Sequence, residues 1–106
     1  MNMGRSEFSE RVLDLCRKVP KGRITTYGEI ARALGKPGAS RAVGQALKRN
    51  PYAPKVPCHR VVSSDGSLGG YGGAGRKKTA KKKRLLEKEG IEIEKGKVKV
   101  KHLYRF

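Results

Sequence analysis

A stretch rich in proline and then in glycine, between residues 51 and 75, most strongly limits the fold of this chain. Pro51 and Pro54 precede the heptad VPCHRVV at 56–62, which itself contains Pro57, and the segment LGGYGG follows at 68–73. Proline removes backbone donors and glycine populates conformations that other residues avoid, so both residue types disfavour continuous helix or strand. Regular structure is therefore predicted on either side of this stretch.

The first helical pattern comes near the amino end. Apolar residues recur at helical spacing from Phe8 to Val19, and Ser6 is positioned to cap this helix. Cys16 lies on the apolar stripe of the pattern. Because free cysteine behaves as a small hydrophobic residue, Cys16 is predicted to be buried and structural.

Two shorter helical patterns follow, separated by a tight turn. The segment TYGE at 26–29 has the spacing of a capping box and predicts a helix of about two turns. The next helix is predicted from about Ala39 to Arg49, after a proline-glycine turn. Its predicted inward residues are Ala42, Val43, Ala46 and Leu47. Together the two helices predict a helix-turn-helix over about 26–49, which is typical of DNA-binding proteins and also of general helix packing.

Two elements are predicted after the glycines. Seven of the nine residues from 76 to 84 are basic, within a helical pattern that covers 76–89. We interpret this cluster as a phosphate contact, with a solvated helix face as the alternative. Apolar and charged residues then alternate on both sides of Lys95-Gly96, which predicts a terminal hairpin over 91–102.

Length and composition limit the class of protein. A chain of 106 residues predicts a single small domain, and the patterns make it α/β, mainly helical, with a winged-helix-like helix-turn-helix and a C-terminal β-hairpin. Lys and Arg number 26 against 9 acidic residues, so the net charge is +17. Nucleic acid is the favoured partner, with an anionic membrane surface or colloidal stability as alternatives. Because no segment is typical of a membrane span or a secretion signal, we expect an intracellular protein with reduced thiols and no membrane association.

The heptad poses the question of what Cys58 does. A metal site is disfavoured, because His59 and His102 are the only histidines and the two cysteines are 42 positions apart. A cysteine-histidine nucleophile is the second interpretation, although adjacent side chains rarely face each other. A buried structural thiol is the third, and the residues alone favour it.

Five motifs together carry a resemblance to a known family. TYGEIA, SRAVGQALKRNP, PCHRVV, GGYGG and LLEKEG occur in this order between about Ser6 and Gly90. This combination resembles the DNA-binding and catalytic domain of the O6-alkylguanine-DNA alkyltransferases. Members of that family move the alkyl group from O6 of a damaged guanine onto their own cysteine, once per protein molecule. The resemblance implies double-stranded DNA containing O6-alkylguanine as partner, a monomer, and neither cofactor nor metal.

The resemblance assigns the chemistry to four residues. Cys58 is the alkyl acceptor, His59 takes the thiol proton through a bridging water, and Glu89 orients the imidazole. Asn50 braces the turn between the helices and the active-site segment. This interpretation reverses the one that the residues alone favour for Cys58.

The resemblance also assigns residues to DNA. Tyr27 helps to rotate the nucleotide and contacts the flipped base, while Arg41 fills the vacated space in the duplex. The second helix enters the minor groove, and small residues let it approach closely: Ala39, Ala42, Gly44 and Ala46. Tight helix packing is the alternative for Ala42 and Ala46.

The resemblance also places the guanine pocket at the segment around the glycines. A backbone amide at Gly72 reaches O6, the carbonyls of Cys58 and Val61 receive the exocyclic amine, and Tyr71 lines the pocket. Ala53 and the glycine-rich loop leave room for groups larger than methyl. Packing in the core is the alternative for Tyr71.

The outline departs from typical members of the family. Those members carry an additional N-terminal domain, whereas a single domain ending in EGIEIEKGKVKVKHLYRF is more similar to the alkyltransferase-like proteins. These relatives bind alkylated guanine, recruit excision repair and usually replace the cysteine, often with tryptophan. Because Cys58 is present, transfer is favoured over sensing, and a basic helix-turn-helix with an incidental thiol is the third interpretation.

Overall fold

A computed structural model describes residues 7–49, 56–68 and 76–106, apart from the side chains of 76–79 and 100. The helices are Glu7–Lys18 (α1), Tyr27–Ala33 (α2), Ser40–Lys48 (α3) and Arg76–Lys88 (α4). The strands are Thr25–Thr26 (β1), Val61–Val62 (β2), Ile93–Glu94 (β3) and Lys97–Val98 (β4). Two 3₁₀ turns span Cys58–Arg60 and Val100–His102. The predicted fold class, mainly helical α/β with a helix-turn-helix and a C-terminal hairpin, is confirmed.

The first three helices share one apolar core. α1 contributes Val12, Leu13 and Cys16, and these side chains pack with Ile30 of α2 and Val43 of α3. The predicted burial of Cys16 is confirmed, since its exposed fraction is 0%. Burial raises the pKa of this thiol to about 12, and the nearby Cys58 acts in the same direction. Cys16 is therefore an unreactive packing residue.

The helix-turn-helix begins as the sequence predicts. The Thr26 hydroxyl accepts a hydrogen bond from the Glu29 backbone N–H at 2.9 Å, which caps α2. The Glu29 carboxylate pairs with Arg32 and accepts a hydrogen bond from the Phe106 N–H at 3.4 Å. Gly35, with φ of +75°, ends the helix in the left-handed region. The carboxyl end of the chain is thereby attached to the first helix of the motif.

The prediction that Ala42 packs inward is wrong. Val43, Ala46 and Leu47 form the buried face of α3, whereas Ala42 is exposed. One position along a helix rotates a side chain by about 100°, so Ala42 turns away from the face that Val43 and Leu47 define. The same rotation makes Ala42 available to a ligand.

A short parallel sheet joins the two halves of the chain. β1 pairs with β2 in the register Thr25↔Val61 and Thr26↔Val62. On the other side of β1, Ile24 donates its N–H to the His102 carbonyl at 2.9 Å and accepts from the Tyr104 N–H at 2.6 Å. Because α2 follows β1 directly and the Cys58–Arg60 turn precedes β2 directly, this register positions the helix-turn-helix relative to the cysteine segment.

The terminal hairpin is shorter than the predicted span of 91–102. Ile93 pairs with Val98 and Glu94 with Lys97, around Lys95 and Gly96, whose φ angles are +54° and +77°. Two left-handed residues are typical of a two-residue hairpin turn. The prediction that the second strand continues to residue 102 is wrong, because the chain bends through a 3₁₀ turn at Val100–His102 to pair with Ile24.

A second apolar cluster lies under the hairpin. It joins the strands, the loop after β2, α4 and the hairpin through Ile24, Val62, Leu68, Leu86, Ile91 and Val98.

Within the part of the chain that the structure describes, no helix has the length and apolar character needed to cross a membrane.

The contact between the hairpin and the loop after β2 predicts a specific stability difference. Gly66 has φ of +91°, and a methyl group there would lie 3.0 Å from the Val98 carbonyl oxygen. Gly90 has φ of +85° with open space around it. We expect Gly90→Ala to lower the free energy of unfolding by about 1 kcal/mol through backbone strain alone, and Gly66→Ala to lower it by about 1–3 kcal/mol more through the clash. Urea unfolding of both variants measures the difference, and equal losses would contradict the packing described.

Candidate active site

Cys58 opens a tight turn beside the core. Its N–H donates to the Val56 carbonyl at 2.8 Å, and its own carbonyl accepts from the Val61 N–H. The residue is 8% exposed, so it lies at the edge of the core. Successive side chains in a 3₁₀ turn diverge by about 120°. The geometry therefore favours an indirect connection between the thiol and His59 over a direct one.

The structure brings His59 and Glu89 together, as the resemblance implies. Nε2 of His59 lies 3.1 Å from Oε2 of Glu89, the residue that follows α4. Arg60 completes the cluster, because its Nε and Nη2 donate to the two carboxylate oxygens at 2.8 and 2.7 Å. Its Nη1 also donates to the Val19 carbonyl at 2.8 Å. Arg60 was missed in the sequence analysis, although it is the next residue of the heptad.

The cluster sets the protonation states of its members. Burial alone would raise the pKa of Glu89, but the hydrogen bonds from Arg60 and His59 outweigh it and hold this pKa below its ordinary value. Burial lowers the pKa of His59, and the attraction of Glu89 only partly offsets that effect. At neutral pH, His59 is therefore a neutral imidazole opposite a carboxylate. With Nε2–H donating to Glu89, the lone pair is on Nδ1, which can accept a proton.

Lys82 is the largest departure from the sequence prediction for α4. The sequence predicts that the basic run lies at the surface, either contacting phosphate or solvated, yet the Lys82 side chain is 0% exposed. Its ammonium donates to the Val61 carbonyl at 2.6 Å and lies 5.8 Å from the centroid of the Tyr27 ring. Burial lowers the pKa of Lys82 to about 8, although Cys58 and Cys16 act in the opposite direction.

Helical spacing could have identified Lys82. It precedes the buried Leu86 by four positions and Glu89 by seven, so all three lie on one face of the helix. The hydrogen bond from Lys82 also affects the predicted guanine pocket. It occupies the Val61 carbonyl, which is predicted to accept the exocyclic amine of the guanine. A carbonyl oxygen has a second lone pair, so the role assigned to Val61 stays a prediction.

A cleft beside the helix-turn-helix contains several of the predicted DNA-binding residues. It has a volume of about 430 Å³ and is lined by Tyr27, Ser40, Arg41, Gly44, Gln45, Ser63 and Ser64. Gly44 lies against the Tyr27 ring, since a methyl group added there would come within 3.9 Å of it. Burial raises the pKa of the Tyr27 phenol, and the proximity of Cys58 adds to this increase. Tyr27 also packs against the core cluster that contains Cys58, so the cleft adjoins that cluster.

The remaining predicted residues fall into two groups. Ala39 is partly buried against the core, and Ala42 is exposed beside the residues of the cleft. Asn50, Ala53, Tyr71 and Gly72 lie outside the described residues, so their roles stay predictions. Four residues of the cleft were missed, and no sequence signal distinguishes these common polar residues: Ser40, Gln45, Ser63 and Ser64.

The fold and site define a helix-turn-helix protein with a cysteine, a histidine and a carboxylate at the edge of its core. Residues 7–91 match the family described as "6-O-methylguanine DNA methyltransferase, DNA binding domain". The chain therefore belongs to this family of DNA-repair alkyltransferases, which confirms the resemblance identified from the sequence.

Individual relatives support the assignment. The chain is 45% identical over 91 residues to a methylated-DNA--protein-cysteine methyltransferase of Methanothermobacter thermautotrophicus, covering 86% of this chain and 48% of the relative. It is similar to the OGT of Mycobacterium tuberculosis solved in complex with DNA, at TM-score 0.74 and 44% identity over 83% of this chain and 52% of that one. It is also similar to S. pombe Atl1 in complex with damaged DNA containing O6-carboxymethylguanine, at TM-score 0.79 and 35% identity over 100% of both chains. The chain spans about half the length of the curated relatives it matches.

The protonation state of His59 predicts how stability depends on pH. Because folding lowers the pKa of His59, the unfolded chain takes up a proton at a higher pH than the folded protein. The stability that comes from keeping His59 neutral is therefore fully present above about pH 6.5, the ordinary pKa of histidine. It is lost as the pH falls from there towards the lower pKa of His59 in the folded protein. Because folding also lowers the pKa of Glu89, protonation of this carboxylate further lowers the free energy of unfolding, but only below about pH 4.5.

We therefore expect the melting temperature to fall between pH 7 and pH 5, and to fall less steeply in His59→Gln. Scanning calorimetry across this range measures both curves. The two proteins share every other ionisable group, so the difference between the curves reports His59. If the melting temperatures of the two proteins fell in parallel with pH, the result would contradict the conclusion that His59 is buried as a neutral imidazole.

Proposed function

We propose that the protein repairs DNA by moving an alkyl group from O6 of a damaged guanine to Sγ of its own Cys58, once per molecule. The observation that carries this proposal is the cluster next to Cys58, in which His59 contacts Glu89 and Arg60 fixes the same carboxylate. A thiol becomes a strong nucleophile when a base can take its proton, and His59 is a buried neutral base. Membership of the alkyltransferase family supplies the class of substrate.

Binding would begin at the cleft of the helix-turn-helix. O6 of a stacked guanine is out of reach of a protein thiol, so the nucleotide must rotate out of the duplex. Arg41 is exposed at the start of α3 and lines the same cleft as Tyr27, which suits it to occupy the space left in the stack. Ala42, which is exposed, and Gly44, which is partly buried, permit close approach of α3 to the minor groove.

Transfer would follow in two coupled steps. The Cys58 proton passes through a bridging water to Nδ1 of His59, and Glu89 stabilises the imidazolium that forms. The thiolate then attacks the alkyl carbon, forming an S–C bond as the C–O6 bond breaks. The guanine keeps the electron pair of the broken C–O6 bond and takes up the proton that the His59 imidazolium gives back, so the charges balance.

Lys82 and Arg60 would support this chemistry without contacting the substrate. The Lys82 ammonium is fully buried and donates to the carbonyl of Val61, three residues after Cys58, where a fixed positive charge would stabilise negative charge that develops during the attack. Arg60 makes a forked contact with Glu89, which holds the carboxylate ionised and oriented towards the imidazole. These two cations were not part of the predicted site.

Damage sensing without transfer is the second candidate function. It is favoured by the match to S. pombe Atl1, a chain that is covered completely and that was solved with DNA containing O6-carboxymethylguanine. In this case the cleft would hold the damaged base, Cys58 would stay unmodified, and a partner repair protein would act afterwards.

Intact mass separates the two functions. We expect the protein to gain one methyl group from a duplex that contains a single O6-methylguanine, and Cys58→Ala to gain none while still binding the duplex. Cys16→Ala is the matched control and should react like the unmodified protein, because Cys16 is a packing residue. Tight binding with no change in mass in all three proteins would instead establish the sensor.

The role of Arg41 has its own test. Arg41→Ala should slow methyl transfer from duplex DNA by about tenfold or more, because the vacated stack loses the side chain that fills it. Transfer from the free base O6-benzylguanine needs no rotation and should be unchanged. Lys48→Ala removes an exposed cation from the other end of α3 and is the control. Unchanged transfer from duplex DNA in Arg41→Ala would contradict the proposed role.

A further inference from the structure

α4 has two faces of opposite character. Lys82 and Leu86 point inward and are fully buried, and Glu89 continues the same face. On the remaining surface of the helix Lys83, Arg84 and Lys88 are exposed. We call these three residues the outer cations of α4. α4 thus holds one cation, Lys82, inside the protein and presents the outer cations to solvent.

The lysines of the hairpin have acidic partners, whereas Glu87, which is exposed on α4 four positions after Lys83, makes no ion pair with the outer cations among the described residues. Lys97 lies 3.9 Å from Asp65, Lys99 lies 3.5 Å from Glu92, and Lys101 also pairs with Glu92. Among the described residues, no ion pair engages the outer cations. Arg84 and Lys88 are four positions apart, a spacing at which like charges destabilise a helix. An external anion would relieve this repulsion.

The orientation of Lys82 shows which way the outer cations face. Its ammonium contacts the Val61 carbonyl and lies over the Tyr27 ring, so the inner face of α4 is turned towards the cleft and the thiol. The outer face is separated from that side by the diameter of a helix, about 10 Å. This separation matches the screening length of about 10 Å at 0.1 M salt. DNA seated in the cleft would therefore leave the outer cations unneutralised.

We propose that the outer face of α4 binds a second segment of duplex DNA while the first occupies the cleft. The proposal rests on the proposed function for its assignment of the cleft to DNA. Clustered cations without partners bind phosphates through release of counterions. A membrane surface fits less well, because an interfacial helix inserts an apolar face, and the apolar residues Leu85 and Leu86 of α4 pack into the protein core.

Two DNA-binding faces would assist the search for damage. A protein that holds two duplex segments can pass from one to the other without dissociating completely into solvent. Such a transfer would serve a protein that acts once and must find rare sites. The binding would not depend on sequence, because it involves phosphates alone.

The test compares two variants that lose the same amount of charge. The outer-face variant is Lys83→Gln/Arg84→Gln/Lys88→Gln, and the control is Lys97→Gln/Lys99→Gln/Lys101→Gln, whose lysines already have acidic partners. Each protein is loaded onto an immobilised duplex containing O6-methylguanine and then offered a labelled undamaged duplex. Sedimentation in solution gives the number of duplexes bound per protein.

We expect the unmodified protein and the control to hold two duplexes, and the outer-face variant to capture the second at least about tenfold more weakly. Binding of the first duplex and methyl transfer should change by no more than about twofold in the outer-face variant. One duplex per unmodified protein, or equal loss in the control, would overturn the proposal. The proposal would also fail if the outer-face variant lost binding to phosphatidylserine vesicles while it still captured the second duplex.

Failure of the proposed function is seen separately. It would appear as no methyl transfer by the unmodified protein, whereas binding of two undamaged duplexes can still be scored. A large loss of transfer in the outer-face variant would place the outer cations in the first site and would also overturn the proposal.

Discussion

The rest of the structure depends on the carboxylate of Glu89. It stands at the end of α4 and accepts hydrogen bonds from Arg60 on both oxygens, while Nε2 of His59 contacts one of them. Arg60 reaches on to the Val19 carbonyl just beyond α1, so one partly buried ion pair connects both helices to the Cys58–Arg60 turn. A charge removed from water is tolerated only when its partners are complete, and this requirement fixes all three segments together.

The two halves of the chain meet through this cluster and the short parallel sheet. β1 leads into Tyr27, β2 follows the Cys58–Arg60 turn, and their register sets the distance between the cleft and the thiol. Lys82 strengthens the connection, because its ammonium donates to the Val61 carbonyl beneath the Tyr27 ring. A duplex in the cleft would therefore be held by the same framework that orients the proposed base, which is how a site is kept preorganised.

Local patterns were enough to predict the helices and the position of Cys16, because apolar spacing and caps depend on neighbouring residues. They could not show Ala42 turning outward or the chain bending at Val100–His102, since both outcomes depend on contacts with distant segments. For Cys58 the residues alone favoured a structural thiol, and only the resemblance paired His59 with Glu89. Arg60 and Lys82 were missed because a basic residue is usually placed at the surface, and burial beside distant acceptors leaves little trace in sequence.

The central claim is that Cys58 accepts the alkyl group. The most direct measurement is transfer of an isotope-labelled methyl group from O6-methylguanine in duplex DNA to the unmodified protein, followed by proteolysis and mass mapping of the peptides. The account predicts one label per molecule, on the sulfur of Cys58, with Cys16 unlabelled. A protein that binds the duplex tightly and carries no label, or that carries it on another residue, would contradict the account.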